Sequence, residues 1–169
     1  SGVAIFDGTS YVTINGITLV NPVGQSVIFT GGAHHITLHD NVIIGDTTGT
    51  GLSAAITATN SLTSPTTYGD NANNLTITDN HIKGGYYGLV LNGSGTTNKI
   101  SDFVIHGNVL TKQYFYGIRT YYAENVSIKG NSVTDNRASG GYGVMCYYTN
   151  DFVIEDNYLP AKTYGLYLY

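Results

Sequence analysis

With 41% hydrophobic and only 11% charged residues, this 169-residue chain is too apolar for disorder and long enough for one domain. A formal net charge of −4 argues against a general nucleic-acid binder, and no apolar run approaches the roughly 20 residues that span a bilayer as a helix. Its 22 glycines, 15 tyrosines and absence of Trp suit many short strands joined by tight turns.

Taken in order, the chain keeps rewriting one frame. Gly2 and the residues after it read as a Tyr-Gly-Φ-x-Φ-type strand, aligned with Gly88, Gly117, Gly143 and Gly165 further on. The next strand supplies inward Val12 and Ile14, followed by Ile17 and Leu19; residues 26–30 add Val27 and Phe29. Ile36, Leu38 and Ile43 are the next inward set, before a loop over 46–51 and an Ala-rich strand near 53–59. Residues 60–73 and 93–99, rich in Ser, Thr, Asn and Gly, read as two loops inserted at the same corner of the repeat. Stretches 74–92, 101–122, 124–148 and 151–169 each carry an alternating strand, an Asn, a second short apolar pair, a variable loop and Tyr-Gly-Φ-x-Φ. Self-similarity at about 20 to 30 residues, with strand signals and no helical period, predicts a solenoid.

The pattern resembles the parallel β-helices of the pectin-lyase-like superfamily, which includes polysaccharide lyases, polygalacturonases, sugar epimerases and phage tailspikes. The resemblance covers essentially the whole chain. It implies an all-β, right-handed, single-stranded parallel β-helix of about six coils with an Asn ladder. The matching ladder positions are Asn41, Asn80, Asn108, Asn131 and Asn157, and Ile17 stands in that frame in the first coil. Each ladder Asn is expected to take a left-handed conformation and to bond the amide of the next coil. The resemblance also implies a secreted, cell-surface or virion location.

Function is sought on outward positions, since inward ones are committed to packing. On the Tyr-Gly-Φ-x-Φ strands one outward column reads Ala4, Val90, Arg119, Met145 and Tyr167, and the next reads Asn92, Tyr121, Tyr147 and Tyr169. Tyrosines offer an apolar face to sugar C–H groups and a hydroxyl to sugar oxygens. The preceding loops add Lys112, Gln113 and Tyr114, then Arg137, then Lys162. A cationic, Tyr-lined groove favours an anionic polysaccharide. Tyr121, Tyr147, Tyr167, Tyr169, Arg119 and Arg137 are therefore the candidate substrate-binding residues.

Three functions stay open. The preferred one is a carbohydrate-binding module. The second is a metal-independent lyase or epimerase acting on a uronate glycan, with Arg119, Lys112 and Tyr121 as catalytic candidates. The third is a structural stalk or association module. The paired acids of polygalacturonases and the carboxylate cluster of calcium-dependent lyases have no counterpart on this face. His34 and His35 share a turn without the further ligands that a metal site requires, so no metal and no cofactor is expected. His106, Lys129 and Glu155 stand in one column and read as surface electrostatics. Cys146 reads as a buried, inert thiol. The expected partner is a polysaccharide, with neither nucleic acid nor membrane insertion. Both ends stand in register mid-pattern, which predicts a segment of a longer β-helix, or end-to-end or lateral association with other chains.

Overall fold

The computed structural model describes residues 2–160 and 162–169. Its strands follow one another coil by coil. The first coil holds β1 (Ala4–Asp7), β2 (Ser10–Asn15) and β3 (Thr18–Val20); the second holds β4 (Val27–Thr30), β5 (Ala33–His39) and β6 (Val42–Ile44). The third holds β7 (Ala54–Ala58), β8 (Ala72–Thr78) and β9 (His81–Lys83), and the fourth β10 (Tyr87–Asn92), β11 (Ile100–His106) and β12 (Val109–Thr111). In the fifth, β13 (Tyr116–Lys129) runs round a corner before β14 (Ser132–Thr134); β15 (Tyr142–Glu155) does the same in the sixth, and β16 (Tyr164–Leu168) opens the next turn.

Every strand pairs in parallel with its counterpart one coil away. The resulting solenoid of about six turns has three faces. The first face stacks β1, β4, β7, β10, the first halves of β13 and β15, and β16. The second stacks β2, β5, β8, β11 and the second halves of β13 and β15. The third is built from the three-residue strands β3, β6, β9, β12 and β14.

Period-two alternation fills the interior with columns of like residues. Val12, Ile36, Leu75, Phe103, Val126 and Phe152 form one; Leu19, Ile43, Ile82, Leu110 and Val133, one per short strand, form another. Burying each such side chain is worth about 1.5–3 kcal/mol. Cys146 lies in the column of Leu91, Thr120 and Leu168 and is 1% exposed.

The Asn ladder is continuous. The side-chain oxygens of Asn80, Asn108, Asn131 and Asn157 each accept from the backbone N–H (2.9 Å) of the ladder Asn one coil earlier. Each also accepts from that residue's side-chain amide, at 2.9–3.0 Å. The amide nitrogens also donate to carbonyls of the preceding coil, such as Asn108 to Ile77 (2.8 Å). Ile17 has no amide to contribute; its backbone N–H ends the ladder on Asn41 Oδ1 at 3.1 Å, and its side chain is exposed rather than inward.

Two expectations are corrected. The left-handed residue is the one before each ladder Asn, namely Asp40, Asp79, Gly107, Gly130 and Asp156, with Gly16 in the same place before Ile17. These are Gly and Asp, which tolerate positive φ, and the turn they make leaves the Asn pointing inward to its partners. The first strand is also one residue out of the expected register. Ala4 pairs with Val27 and faces the core, while Ile5 faces out at 44% exposure. Gly2 therefore is not the counterpart of Gly88, because a one-residue slip exchanges the two sides of a strand.

Asn108→Ala strips the acceptor from two buried donors of Asn80, and is expected to cost about 2–4 kcal/mol. Asn131→Ala is expected to cost the same; thermal and urea unfolding check both, and unchanged melting would refute the ladder's role. Burial pushes the Cys146 thiol up to about 11, although Thr120 bonds to it and works the other way. A neutral thiol preferred by the fold contributes stability that is complete below the unfolded-chain pKa near 9 and is lost as pH rises towards 11. Urea midpoints measured between those limits are expected to fall more steeply for the parent than for Cys146→Ala.

Candidate functional site

The first face carries the tyrosines, and they stand in columns because each strand repeats the residue types of its neighbour. Tyr121 pairs in register with Tyr147, and their rings stack at 4.9 Å with 4° between planes. Tyr169 continues the stack at 4.4 Å, and Tyr68 of the inserted loop caps its other end at 5.0 Å. Tyr122 and Tyr148, both left-handed where β13 and β15 turn the corner, make a parallel stack at 5.1 Å that meets the first edge-on.

A further column, Tyr87, Tyr116, Tyr142 and Tyr164, lines the opposite end of these strands with ring spacings of 5.0–5.3 Å. Sequence reasoning missed it. Strict alternation places these residues on the inward side with Leu89 and Ile118, yet Tyr87 belongs to a cluster outside the main core. The glycine that follows each Tyr is the cause. A side chain at Gly88 would meet Leu110, and one at Gly117 would collide with Val133, so the glycine faces the core and the tyrosine is turned out.

Between the two columns lies Arg119, in register with Val90 and Met145. Its guanidinium carbon is 4.9 Å from the Tyr121 ring centre, 5.7 Å from Tyr87 and 5.9 Å from Tyr116. Its Nε is buried without a hydrogen-bond partner, and among the described residues no carboxylate forms an ion pair with it. Aromatic rings attract a guanidinium through their faces, and the Tyr87 hydroxyl bonds to it, but neither supplies a counter-charge. The stacked tyrosines hide their faces against one another, so what they present outward is ring edges and hydroxyls, not the open platforms expected from the sequence.

The upper part of this face is closed. Residues between β7 and β8 fold back over it: Pro65 O accepts from Thr57 Oγ1 (2.7 Å) and Asn92 Nδ2 (2.9 Å), and Thr63 O from Gln25 Nε2 (3.1 Å). Val90 and Asn92 are thereby fully buried, although they share columns with Arg119 and Tyr121. The open part of the face begins at Arg119.

The corner loops contribute less than expected. Arg137 donates to Gly49 O (2.7 Å) and Lys112 O (3.0 Å) and lies over the Tyr114 ring, so it clamps three loops together. Gln113 is buried and bonds Ile82 O and Thr111 O, which makes it structural. Lys112 and Lys162 are exposed. Burial works to raise the Asp46 carboxyl, but N–H groups of Gly49 and Thr48, the Thr48 hydroxyl and Arg137 hold it below its ordinary range.

On the second face an open groove of about 500 Å³, not foreseen from the sequence, is lined by residues including His35, Thr37, Asn74, Thr76, Asp102 and Ser127. Beside it, Lys129 pairs with Glu155 at 2.9 Å and His106 Nε2 bonds Ser127 Oγ at 2.8 Å. These contacts pair Lys129 with Glu155 and give His106 a different partner.

Fold and site together define a parallel β-helix module with an aromatic, cationic outer face. Residues 53–169 match the model of the NosD family, described as periplasmic copper-binding protein, and the chain belongs to that family. Neither curated proteins nor solved structures returned a match. Copper sites gather imidazole, thiolate or thioether donors. Among the described residues no three of His, Cys, Asp and Glu come together, and Cys146 is enclosed in the core. The matched stretch does not build a closed copper site, and no copper chemistry follows from it.

Burial raises the Tyr116 and Tyr147 phenols to about 12, with neighbouring tyrosines adding to the effect. Burial, then hydrogen bonds with Tyr68 and Tyr122, push Tyr121 up as well. Alkaline titration of phenolate absorbance is expected to show a group of tyrosines still protonated well above the ordinary pKa of about 10. That group should merge with the rest when the chain is unfolded in urea; a single native transition near the ordinary value would refute the packed columns.

Proposed function

We propose that this NosD-family β-helix module binds an acidic polysaccharide at the cell envelope, across the open part of its tyrosine face. The observation that carries the reading is Arg119, an outward guanidinium held between two tyrosine columns with no carboxylate of its own. A uronate carboxylate supplies the missing acceptor, and Tyr121, Tyr147, Tyr167 and Tyr169 offer hydroxyls to neighbouring sugar oxygens. Arg137 supports the adjoining corner by holding its loops in place. The family's periplasmic description accords with an envelope glycan.

Binding accounts for this geometry better than proton transfer does. A lyase or epimerase using Tyr121 as base needs a phenol that ionises near neutrality, and its surroundings push it the other way. Arg119 and Lys112 then neutralise charge and do not move protons.

Affinity electrophoresis through gels containing polygalacturonate, alginate or dextran tests the proposal. The parent is expected to be retarded by a uronate polymer, less so at high salt. Arg119→Ala is expected to weaken that retention about tenfold or more, the usual worth of a hydrogen-bonded charge, and to leave any dextran retention unchanged. Equal retention of parent and Arg119→Ala by the uronate gels would place the site elsewhere. New unsaturated uronate ends in the same incubations would establish a lyase instead.

A further inference from the structure

The second-face groove is the strongest unassigned feature, and one column of rings ends in it. Where each coil enters this face, Tyr11, His35, Asn74, Asp102, Asn125 and Asp151 stand in register, all left-handed. The last four are Asn or Asp, which accept this conformation most readily after glycine. Tyr11 (φ 57°) and His35 (φ 53°) keep rings where the conformation is costly, and strain of that kind marks a place where the side chain has a role. The two rings stack at 4.7 Å, and His34 Nδ1, 2.9 Å from His35 Nδ1, fixes the imidazole from the side. The stack then stops. The next rung is Asn74, too short to cover the far face of His35, and both residues line the groove. The tyrosines of the first face spend their ring faces on one another, whereas this imidazole keeps one face open.

We propose that the second-face groove binds a neutral glycan, with the open face of His35 as the platform for one sugar ring. Its volume of about 500 Å³ lies in the range of small-ligand sites and suits roughly one or two sugar rings. A ring face takes the C–H side of a sugar, and the sugar's hydroxyls need donors and acceptors around the edge. The groove supplies both. The Thr37 and Thr76 hydroxyls and the Asn74 amide line it, and among the described residues none of the three makes a side-chain hydrogen bond. At the far end Asp102 is held by Ser101 Oγ on one oxygen (2.7 Å) and by Asn125 Nδ2 on the other (3.2 Å). Each oxygen keeps acceptor capacity, so the carboxylate can accept from two adjacent sugar hydroxyls at once. Charge decides which glycan. Among the described residues the lining includes no Lys or Arg, and Asp102, with Asp151 in the same column, repels a polyanion. The site differs from the Arg119 face in both place and ligand and is independent of that reading.

Affinity electrophoresis of the whole chain through gels containing dextran, galactomannan, xyloglucan or laminarin tests the site. Retention by at least one of these neutral polymers is expected, with little dependence on salt. His35→Asn keeps a residue suited to the bend and is expected to weaken that retention about tenfold or more. His35→Tyr repeats the residue one coil earlier and is expected to keep most of it. Thr76→Val copies Val104 of the same column and is expected to weaken retention about two- to tenfold. Arg119→Ala, the control for the first face, is expected to leave neutral retention unchanged, and His35→Asn to leave uronate retention unchanged. A parent held by none of the four polymers overturns the proposal, as does equal retention of parent and His35→Asn. Loss in both His35→Asn and His35→Tyr overturns the stacking platform. Uronate retention that falls with His35→Asn overturns the neutral specificity.

Discussion

Each coil of this molecule is fixed to the next through one buried amide. A ladder Asn accepts from its predecessor's backbone N–H and side-chain amide, and donates back to a carbonyl of the coil before it, so most of its bonding runs along the axis, with one further bond to the carbonyl two residues earlier in its own coil. A parallel solenoid has no hairpins to set register, and a slip by one residue would reverse the inside and outside of a strand. The ladder removes that freedom at one point per coil. The Gly or Asp before each Asn supplies the positive φ that lets the amide turn inward.

Fixed register makes chemistry accumulate in columns. Once Tyr121 stands over Tyr147, the coil spacing of about 4.8 Å is also a suitable spacing for stacked rings. The same rule puts Arg119 between two tyrosine columns, where neighbouring coils offer rings and Met145 instead of a carboxylate. A column therefore magnifies single substitutions: one charged residue in a run of aromatic neighbours becomes an unpaired charge in a partly dry setting. Such a group is costly to leave without a partner and correspondingly selective for one.

Much of this was legible in the sequence because inward positions and ladder positions repeat. The columns Val90–Arg119–Met145–Tyr167 and Asn92–Tyr121–Tyr147 were readable from spacing alone, as was the burial of Cys146. What escaped were the places where period two breaks. The Tyr-Gly step turns Tyr87 and Tyr116 outward because the glycine faces the core, and no residue pattern announces which of the two points in. The slip of β1 hid behind Gly2, whose resemblance to Gly88 is only local. The convergence of His34 and His35 required a backbone angle, and the burial of Val90 and Asn92 required the path of an inserted loop. Each depends on a conformation that several sequences could have adopted.

The same stacking decides how a ligand can be held. Rings paired face to face cannot also be platforms for sugar, so the exposed surface is a set of hydroxyl rows at one-coil spacing around a guanidinium. Each neutral hydrogen bond contributes about 0.5–1.5 kcal/mol net, and one to a charged group about 1.5–3 kcal/mol. A single sugar touching two or three hydroxyls thus gains little over water. A chain lying along the axis repeats those contacts coil after coil and pays the cost of association once, which favours a polymer over a monosaccharide. Under the proposed glycan binding, charge sets direction: Arg119 lies where the inserted loop stops covering the face, which would anchor an anionic group at that boundary with its neighbours towards Tyr167 and Tyr169.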